Sequence, residues 1–383
     1  MIPMPKMLSA HLCGPVSPLD YVYPAVRGLR PYRPGRSAAE VAKERGITDV
    51  VKLASNENPL GPGALANAAL REMPAEMFSR YPPGGGDKLA NAIARRLDVG
   101  AERVILGNGS NDILALAGQL VLSPGAVAVY SRHSFLVYSL VAAACGADGL
   151  VADAEDGTFA HDLNTLADAV QKPNVRLVFI ANPNNPTGTW HPPHSILAFL
   201  RRVPGDVLVV LDEAYCDYLD DGGVSSLPLL DEFENLLITR TFSKIHGLAG
   251  LRAGFGIGGG EVINALNNIR QPFNINIAAQ TAALAALDDD EHLTKSRRMN
   301  FAGMQTLCAA FDDMGVKYLP SNANFLCFSP INKTAAQVYE QLLDNGVIVR
   351  RLDDYQMADY LRVTIGAEDE NDKFITALRR IMR

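Results

Sequence analysis

Asn235-Leu-Leu-Ile-Thr-Arg-Thr-Phe-Ser-Lys-Ile-His-Gly-Leu-Ala-Gly-Leu-Arg252 joins a buried strand to a loop rich in chemistry. The run 236–239 is apolar without alternation, and a strand of that kind belongs to a sheet covered on both faces. Such sheets are mainly parallel and alternate with helices, so the fold class is α/β. Ligands of open α/β sheets bind beyond the carboxyl ends of the strands. Lys244 stands at that end. A lysine held near apolar surroundings and other cations gives up its proton more readily and attacks carbonyl carbons as a free amine. Thr241, Ser243 and Arg252 are the partners a phosphate monoester needs. A surface lysine after a strand would look the same in isolation, so the other strand ends decide.

Further apolar runs lie at 103–106, 126–130, 176–180, 206–211 and 253–257, separated by helical stretches. Ser37 to Arg45 reads as a helix, with Ser37 and Glu40 forming a capping box. The proline-rich residues 1–30 read as an irregular arm. Beyond residue 275 a long helical stretch from Ala278 to about Met314 leads into short apolar runs at 316–319, 324–328, 347–350 and 360–365, with a helix near 334–345. The expected division is a large α/β domain over 51–277, and a smaller α+β domain built from 278–383 with the arm 1–50.

Chemistry gathers at four strand ends. Gly107-Asn-Gly-Ser-Asn-Asp112 opens a helix and offers backbone N–H groups and a positive dipole end to a phosphate, or serves as an ordinary N-cap turn. Ala181-Asn-Pro-Asn-Asn-Pro-Thr-Gly188 is a loop stiffened by two prolines that aims Asn185 over the sheet edge. Asp212 begins Asp212-Glu-Ala-Tyr215, and a carboxylate at a buried strand end is costly unless it meets a cation. It fits either a pyridinium nitrogen or a structural salt bridge. Lys244 is the fourth. Ser131-Arg-His-Ser-Phe135 adds His133 or Phe135 as a ring to stack on a flat heterocycle, or as plain core. Lysine, phosphate cup and buried carboxylate together suggest pyridoxal 5'-phosphate held as a Schiff base.

The segments Pro31-Tyr-Arg-Pro-Gly35, Lys52-Leu-Ala-Ser-Asn-Glu-Asn-Pro-Leu-Gly-Pro62, Arg80-Tyr-Pro82, Gly107-Asn-Gly-Ser110, Asn182–Gly188, Asp212-Glu-Ala-Tyr215, Thr241–Arg252 and Leu361-Arg-Val-Thr-Ile-Gly366 run in this order along nearly the whole chain. In these the sequence resembles the aspartate-aminotransferase superfamily, and within it the histidinol-phosphate aminotransferases. The resemblance implies a type I pyridoxal-phosphate-dependent transferase fold, with a mainly parallel seven-stranded sheet and a smaller α+β domain. It implies Lys244 as the Schiff-base lysine and proton shuttle, Asp212 on the pyridinium nitrogen, Asn185 and Tyr215 on the phenolic oxygen, and Phe135 over the ring. Ser110, Asn111, Ser243 and Arg252 would hold the phosphate. Tyr81 would reach the cofactor of the neighbouring subunit, which makes the protein a homodimer. Arg362 would grip the substrate's anionic group, with Tyr32 and Arg350 as further candidates. The activity so implied is transfer of an amino group from L-histidinol phosphate to 2-oxoglutarate, a step of histidine biosynthesis. An aromatic amino acid aminotransferase and a phosphothreonine-type decarboxylase are the alternatives.

The chain departs from the family at Pro83, at His246, and in Arg351-Leu-Asp-Asp-Tyr-Gln-Met357, where a proline and then a glycine are expected. The last departure lies beside the substrate pocket, where Arg351 would strengthen phosphate binding and Asp353 and Asp354 would oppose it.

The chain has 383 residues, 48% of them hydrophobic, and a net charge of −7, which leaves no footprint for nucleic acid or an anionic membrane. Five scattered cysteines without a Cys-x-x-Cys pair argue against a disulfide frame or a zinc site. No run approaches the roughly 20 apolar residues of a membrane span. A cytoplasmic protein is expected. Gly254-Phe-Gly-Ile-Gly-Gly259 fits a dinucleotide fingerprint but lacks a ribose-binding acid, and His191-Pro-Pro-His194 lacks a third ligand, so neither is read as a site. Asp288-Asp-Asp-Glu291 reads as a helix end or a solvated face.

Overall fold

A computed structural model describes residues 17–29, 35–219 and 226–383. Its largest sheet contains β2 (Val104–Gly107), β3 (Val127–Ser131), β4 (Asp148–Ala152), β5 (Val175–Ala181), β6 (Leu208–Asp212), β7 (Leu236–Thr241) and β8 (Gly254–Gly258), in the order β2-β8-β7-β6-β5-β3-β4. Neighbours among β4, β3, β5, β6 and β7 are parallel, and β8 runs antiparallel to both β7 and β2. Two reversals restore direction, so β2 ends at the same edge as β3, β5, β6 and β7, and β8 begins there. The register places Gly254 beside both Gly107 and Thr241. That adjacency brings the helix start after β2, the lysine loop after β7 and Arg252 before β8 to one corner.

The apolar runs are buried for the expected reason. Val178 and Ile180 pack into one hydrophobic cluster and Leu177 and Phe179 into another on the opposite face. Period-2 alternation persists in space, although both faces are covered and the sequence shows none.

The second body carries a four-stranded antiparallel sheet, from β9 (Lys317–Tyr318), β10 (Phe325–Ser329), β12 (Arg350–Arg351) and β13 (Leu361–Thr364), in the order β12-β13-β10-β9. A separate parallel pair joins β1 (Val51–Lys52) to β11 (Val347–Ile348). Helices Asp290–Met314, Ala335–Asp344 and Glu368–Met382 pack here around Phe311, Phe328 and Phe374. The helix Ala38–Arg45 has the expected capping box of Ser37 and Glu40. Residues 17–29 hold two short turns of helix, Pro18–Tyr21 and Pro24–Arg27.

Several expectations need correction. The strand β4 was not among the apolar runs, because it lies at the sheet edge with only Ala152 buried. The single helix expected over 278–314 is two, Ile277–Ala286 and Asp290–Met314. Asp289 breaks it by accepting from the His292 N–H at 3.1 Å, and it also takes the Leu65 N–H at 3.1 Å. The acidic run is thus a helix end. The run 347–350 divides between two sheets, β11 and β12. Against the expected division at 51–277, Leu53 packs with the C-terminal body, while Ala279, Ala282, Ala283 and Ala286 pack in the large sheet's core.

Candidate active site

One cavity opens where the carboxyl edge of the large sheet faces the small one, and its walls come from both bodies. At one end, Gly109 at φ 79° turns the chain from β2 into the helix Ser110–Val121. Only a residue without Cβ fits, since a Cβ there would lie 2.5 Å from Arg252 Nη2. A Cβ on Gly254 would lie 2.3 Å from the Ser110 nitrogen. Arg252, itself at φ 60°, donates through Nη1 to Ser243 Oγ at 3.1 Å. The result is a cup of Ser110, Asn111, Thr241, Ser243 and Arg252, with a helix N-terminus behind it. This is an anion site by geometry and charge.

Lys244 reaches over the cavity floor. Its Nζ donates to the carbonyls of Ser55 at 3.3 Å and Asn56 at 3.4 Å, and lies 5.3 Å from the centre of the Tyr215 ring. Asn56 organises this corner from a left-handed conformation, φ 56°. Its Nδ2 donates to the Tyr215 hydroxyl oxygen at 2.9 Å, and its N–H to Thr364 Oγ1 at 2.9 Å. The lysine loop presses so closely on this segment that a Cβ on Gly247 would lie 1.9 Å from the Gly61 carbonyl oxygen.

Asp212 is only 5% exposed. It accepts from the Tyr138 hydroxyl at 3.0 Å, Thr239 Oγ1 at 3.1 Å and the Ala214 N–H at 3.3 Å. Burial raises its pKa, and these hydrogen bonds oppose the rise. Among the described residues no cation pairs with it. The structural salt bridge weighed for Asp212 falls instead on its neighbour: buried Glu213 meets half-buried Arg240 at 2.7 Å. Phe135 lines the cavity and meets Tyr138 edge-on at 5.9 Å. His133 is not a stacking ring; it is buried behind the wall, with Nδ1 donating to the Tyr355 carbonyl at 2.8 Å.

The opposite wall belongs to the small sheet. Arg350 and Arg362 are neighbours across β12 and β13, and both line the cavity. Arg362 is buried, donates through Nη1 to Asn185 Oδ1 and through Nη2 to the Ala54 carbonyl at 2.9 Å, and lies 5.1 Å over the Phe325 ring. Its Nε has no partner. Of the two effects weighed for Arg351, opposition by Asp353 is the one realised: Arg351 chelates Asp353 at 2.7 and 2.6 Å, sits 6.0 Å over Tyr339, and does not line the cavity. The two charges offset each other away from the site, and Arg351 holds the Asp353 carboxyl below its usual range.

Tyr81 is 82% exposed, stacks on Phe273 at 4.6 Å and does not line its own chain's cavity. Tyr32 lies outside the described residues. His246 is buried against Phe242 and is not a cavity residue. The His191 ring lies 6.2 Å from that of buried His161, nearly parallel to it. Sequence reasoning missed Ser55, Asn56, Tyr138 and Tyr355 among the lining residues. Ser55 and Asn56 lie inside a family segment and carried a signal; Tyr138 and Tyr355 carried none. Among the described residues no cluster of His, Cys, Asp and Glu could hold a metal, no helix is long and apolar enough to cross a membrane, and the cysteines are free.

The donor set fits pyridoxal phosphate: a cationic cup with glycines forced open around it, a primary amine, and a buried carboxyl lacking a cation. The Aminotransferase class I and II family matches residues 48–378. Histidinol-phosphate aminotransferase 2 of Nitrosospira multiformis is 47% identical, over 92% of this chain and 90% of that protein. Its counterpart in Pseudomonas fluorescens is 46% identical, over 95% and 98%. The crystal structure of histidinol-phosphate aminotransferase from Sinorhizobium meliloti in complex with pyridoxal-5'-phosphate superposes with a TM-score of 0.86 at 27% identity, covering 94% of this chain and 97% of that one. The chain belongs to the class I and II aminotransferases, in the group of the histidinol-phosphate aminotransferases, and is a pyridoxal-phosphate-dependent aminotransferase.

Proposed function

We propose that the amino donor is L-histidinol phosphate and the acceptor 2-oxoglutarate, giving imidazole acetol phosphate and L-glutamate as a cytoplasmic step of histidine biosynthesis. The observation that carries this reading is the pair Arg350 and Arg362 on the wall facing Lys244, with a buried guanidinium nitrogen of Arg362 left without a partner. Two guanidinium groups on an otherwise enclosed wall suit a dianionic phosphate.

Pyridoxal phosphate, when bound, supplies an electron sink that makes the donor's α-proton removable and stores the amino group between two half-reactions. The chain's own groups do the rest. Ser110, Asn111, Ser243 and Arg252 hold the cofactor phosphate. Asp212, oriented by Tyr138 and Thr239, would keep the pyridine nitrogen protonated. Asn185 and Tyr215 would orient the phenolic oxygen, and Phe135 would cover the ring. Lys244 would hold the cofactor through its Nζ and, once free, would serve as the base that takes and returns the donor's α-proton. Tyr32 joins the arginines at the donor. We also place Tyr81 at the neighbouring subunit's cofactor phosphate in a homodimer, a reading supported by its exposure beside Phe273. The working division remains a large cofactor body and a small donor-binding body.

The test is a single-turnover spectrum. Cofactor-loaded protein is mixed with L-histidinol phosphate, L-phenylalanine or L-phosphothreonine without acceptor. Rapid conversion to the amine form by histidinol phosphate alone is expected. Conversion by phenylalanine with histidinol phosphate slow would make the protein an aromatic aminotransferase, and release of carbon dioxide from phosphothreonine would make it a decarboxylase.

A further inference from the structure

The turn 352–357 is where this chain leaves its family's pattern, and it is fastened to the large sheet by contacts the donor reading does not use. His133 Nδ1 lies 2.8 Å from the Tyr355 carbonyl oxygen, which can only accept, so the proton is on Nδ1. His133 is itself fixed, because Asn184 Nδ2 donates to its carbonyl at 2.7 Å, and its ring meets Phe159 edge-on at 4.9 Å. Arg132, next in the chain, donates through Nη1 to Gln356 Oε1 at 3.1 Å while its Nε holds Asp153 at 2.9 Å. Gln356 stands at φ 58°, where a side chain carries strain. Beneath the turn, Leu319, Cys327, Leu352, Tyr355 and Met357 form an apolar cluster closed from the large-sheet side by Leu136 and Phe159. Of the residues 351–357 only Tyr355 lines the cavity.

We propose that His133 is a positioning residue: it fixes the backbone of Tyr355 so that the tyrosine forms a wall of the donor site, and through Tyr355 it sets how tightly the amino donor is held. Tyr355, rather than Arg351, is then the residue by which the departing segment shapes donor choice. This role for His133 rests on the cavity being the donor site. Arg132 and Gln356 brace the same turn from the solvent side. The bond matters because a buried carbonyl losing its donor is penalised fully.

The experiment is a double-mutant cycle on the holoenzyme, read in the donor half-reaction. Wild type is first tried with L-histidinol phosphate and with L-phenylalanine, and whichever it converts is used throughout; failure of the first alone counts against the proposed donor and leaves the cycle intact. His133→Leu is expected to raise the half-saturating donor concentration about tenfold with the maximal rate changed by less than about threefold. His133→Asn, whose amide N–H takes the place of Nδ1–H, restores wild-type behaviour. In a Tyr355→Ala background the His133→Leu effect disappears, because His133 acts only through Tyr355. An equal effect in both backgrounds, or weakened cofactor binding in His133→Leu, would overturn the proposal. Should His133→Leu fail to fold, His133→Gln replaces it, its amide reaching the position of Nε2 and not Nδ1; behaviour like His133→Asn would equally refute the assignment.

Discussion

On one wall of the cavity Asp212 and Thr241 end strands buried on both faces and Lys244 follows one, whereas on the other Arg350, Tyr355 and Arg362 sit on strands of two to four residues and a single turn. The first wall inherits its geometry from the register of a seven-stranded sheet. The second is held by a handful of polar links: Arg362 to Asn185 and Ala54, Thr364 to Asn56, His133 to Tyr355. On the proposed roles, reaction chemistry is built into a sheet edge, and donor choice into a smaller body that can change by substitution in one turn. Sites on rigid elements are the more accurately placed.

The comparison breaks first at Lys244. Lys244→Ala should lower transamination by about 10⁴-fold or more while cofactor remains bound noncovalently; a variant with full turnover and retained cofactor absorbance would remove the lysine from the chemistry. Asp212→Asn should lower the maximal rate by about 10²–10³-fold with donor affinity little changed, since it removes charge from a water-excluded site. Steady-state kinetics decides, and a change confined to KM would move Asp212 to the other wall. On that other wall, Arg362→Ala should weaken the donor about 10²-fold and leave cofactor affinity unaltered. Equal losses of both would mean that the two walls are not separable.

A stability test sharpens the contrast from the large body. His161 is buried, and burial lowers its pKa to about 4. Its Nε2 donates to the Ala181 carbonyl at 3.0 Å, at the end of β5. The unfolded chain takes up this proton first as the pH falls, so the contribution is complete above pH 6.5 and lost as pH falls toward 4, by about 1–3 kcal/mol. His161→Gln keeps the donor without the titration, so its melting temperature should fall less across that window; parallel melting curves for both proteins would contradict the assignment. Smallest of all, Arg351→Ala should change donor affinity by less than about threefold, because Arg351 is already engaged by Asp353 near solvent.

The large wall was legible because its physics is local. Continuous apolar runs imply covered strands, and lysine, carboxylate and hydroxyls follow them within a few residues. The reversed direction of β8 was not legible, since an apolar run carries no arrow. Nor was β4, whose exposed edge hides the pattern. The small wall was read only where the family resemblance reached it, at Arg350 and Arg362. For Arg351 the sequence left two effects open, phosphate binding and opposition by Asp353, and only the pairing with Asp353 decides between them; Tyr355 was missed because its fixing partner His133 is far away in sequence. Asn56 shows the same limit: its left-handed backbone and its bonds to Tyr215 and Thr364 join three distant segments.

The pairing of β1 with β11 has a consequence for the newborn chain. All seven strands of the large sheet leave the ribosome before Val347 does, so Val51 and Lys52 must wait for their parallel neighbours through nearly the whole of translation. Every contact needed for the cofactor cup is synthesised by Gly254, while the donor wall needs β12 and β13 from near the carboxyl terminus. On the proposed roles, vectorial synthesis therefore completes the means of reaction before the means of choosing what reacts.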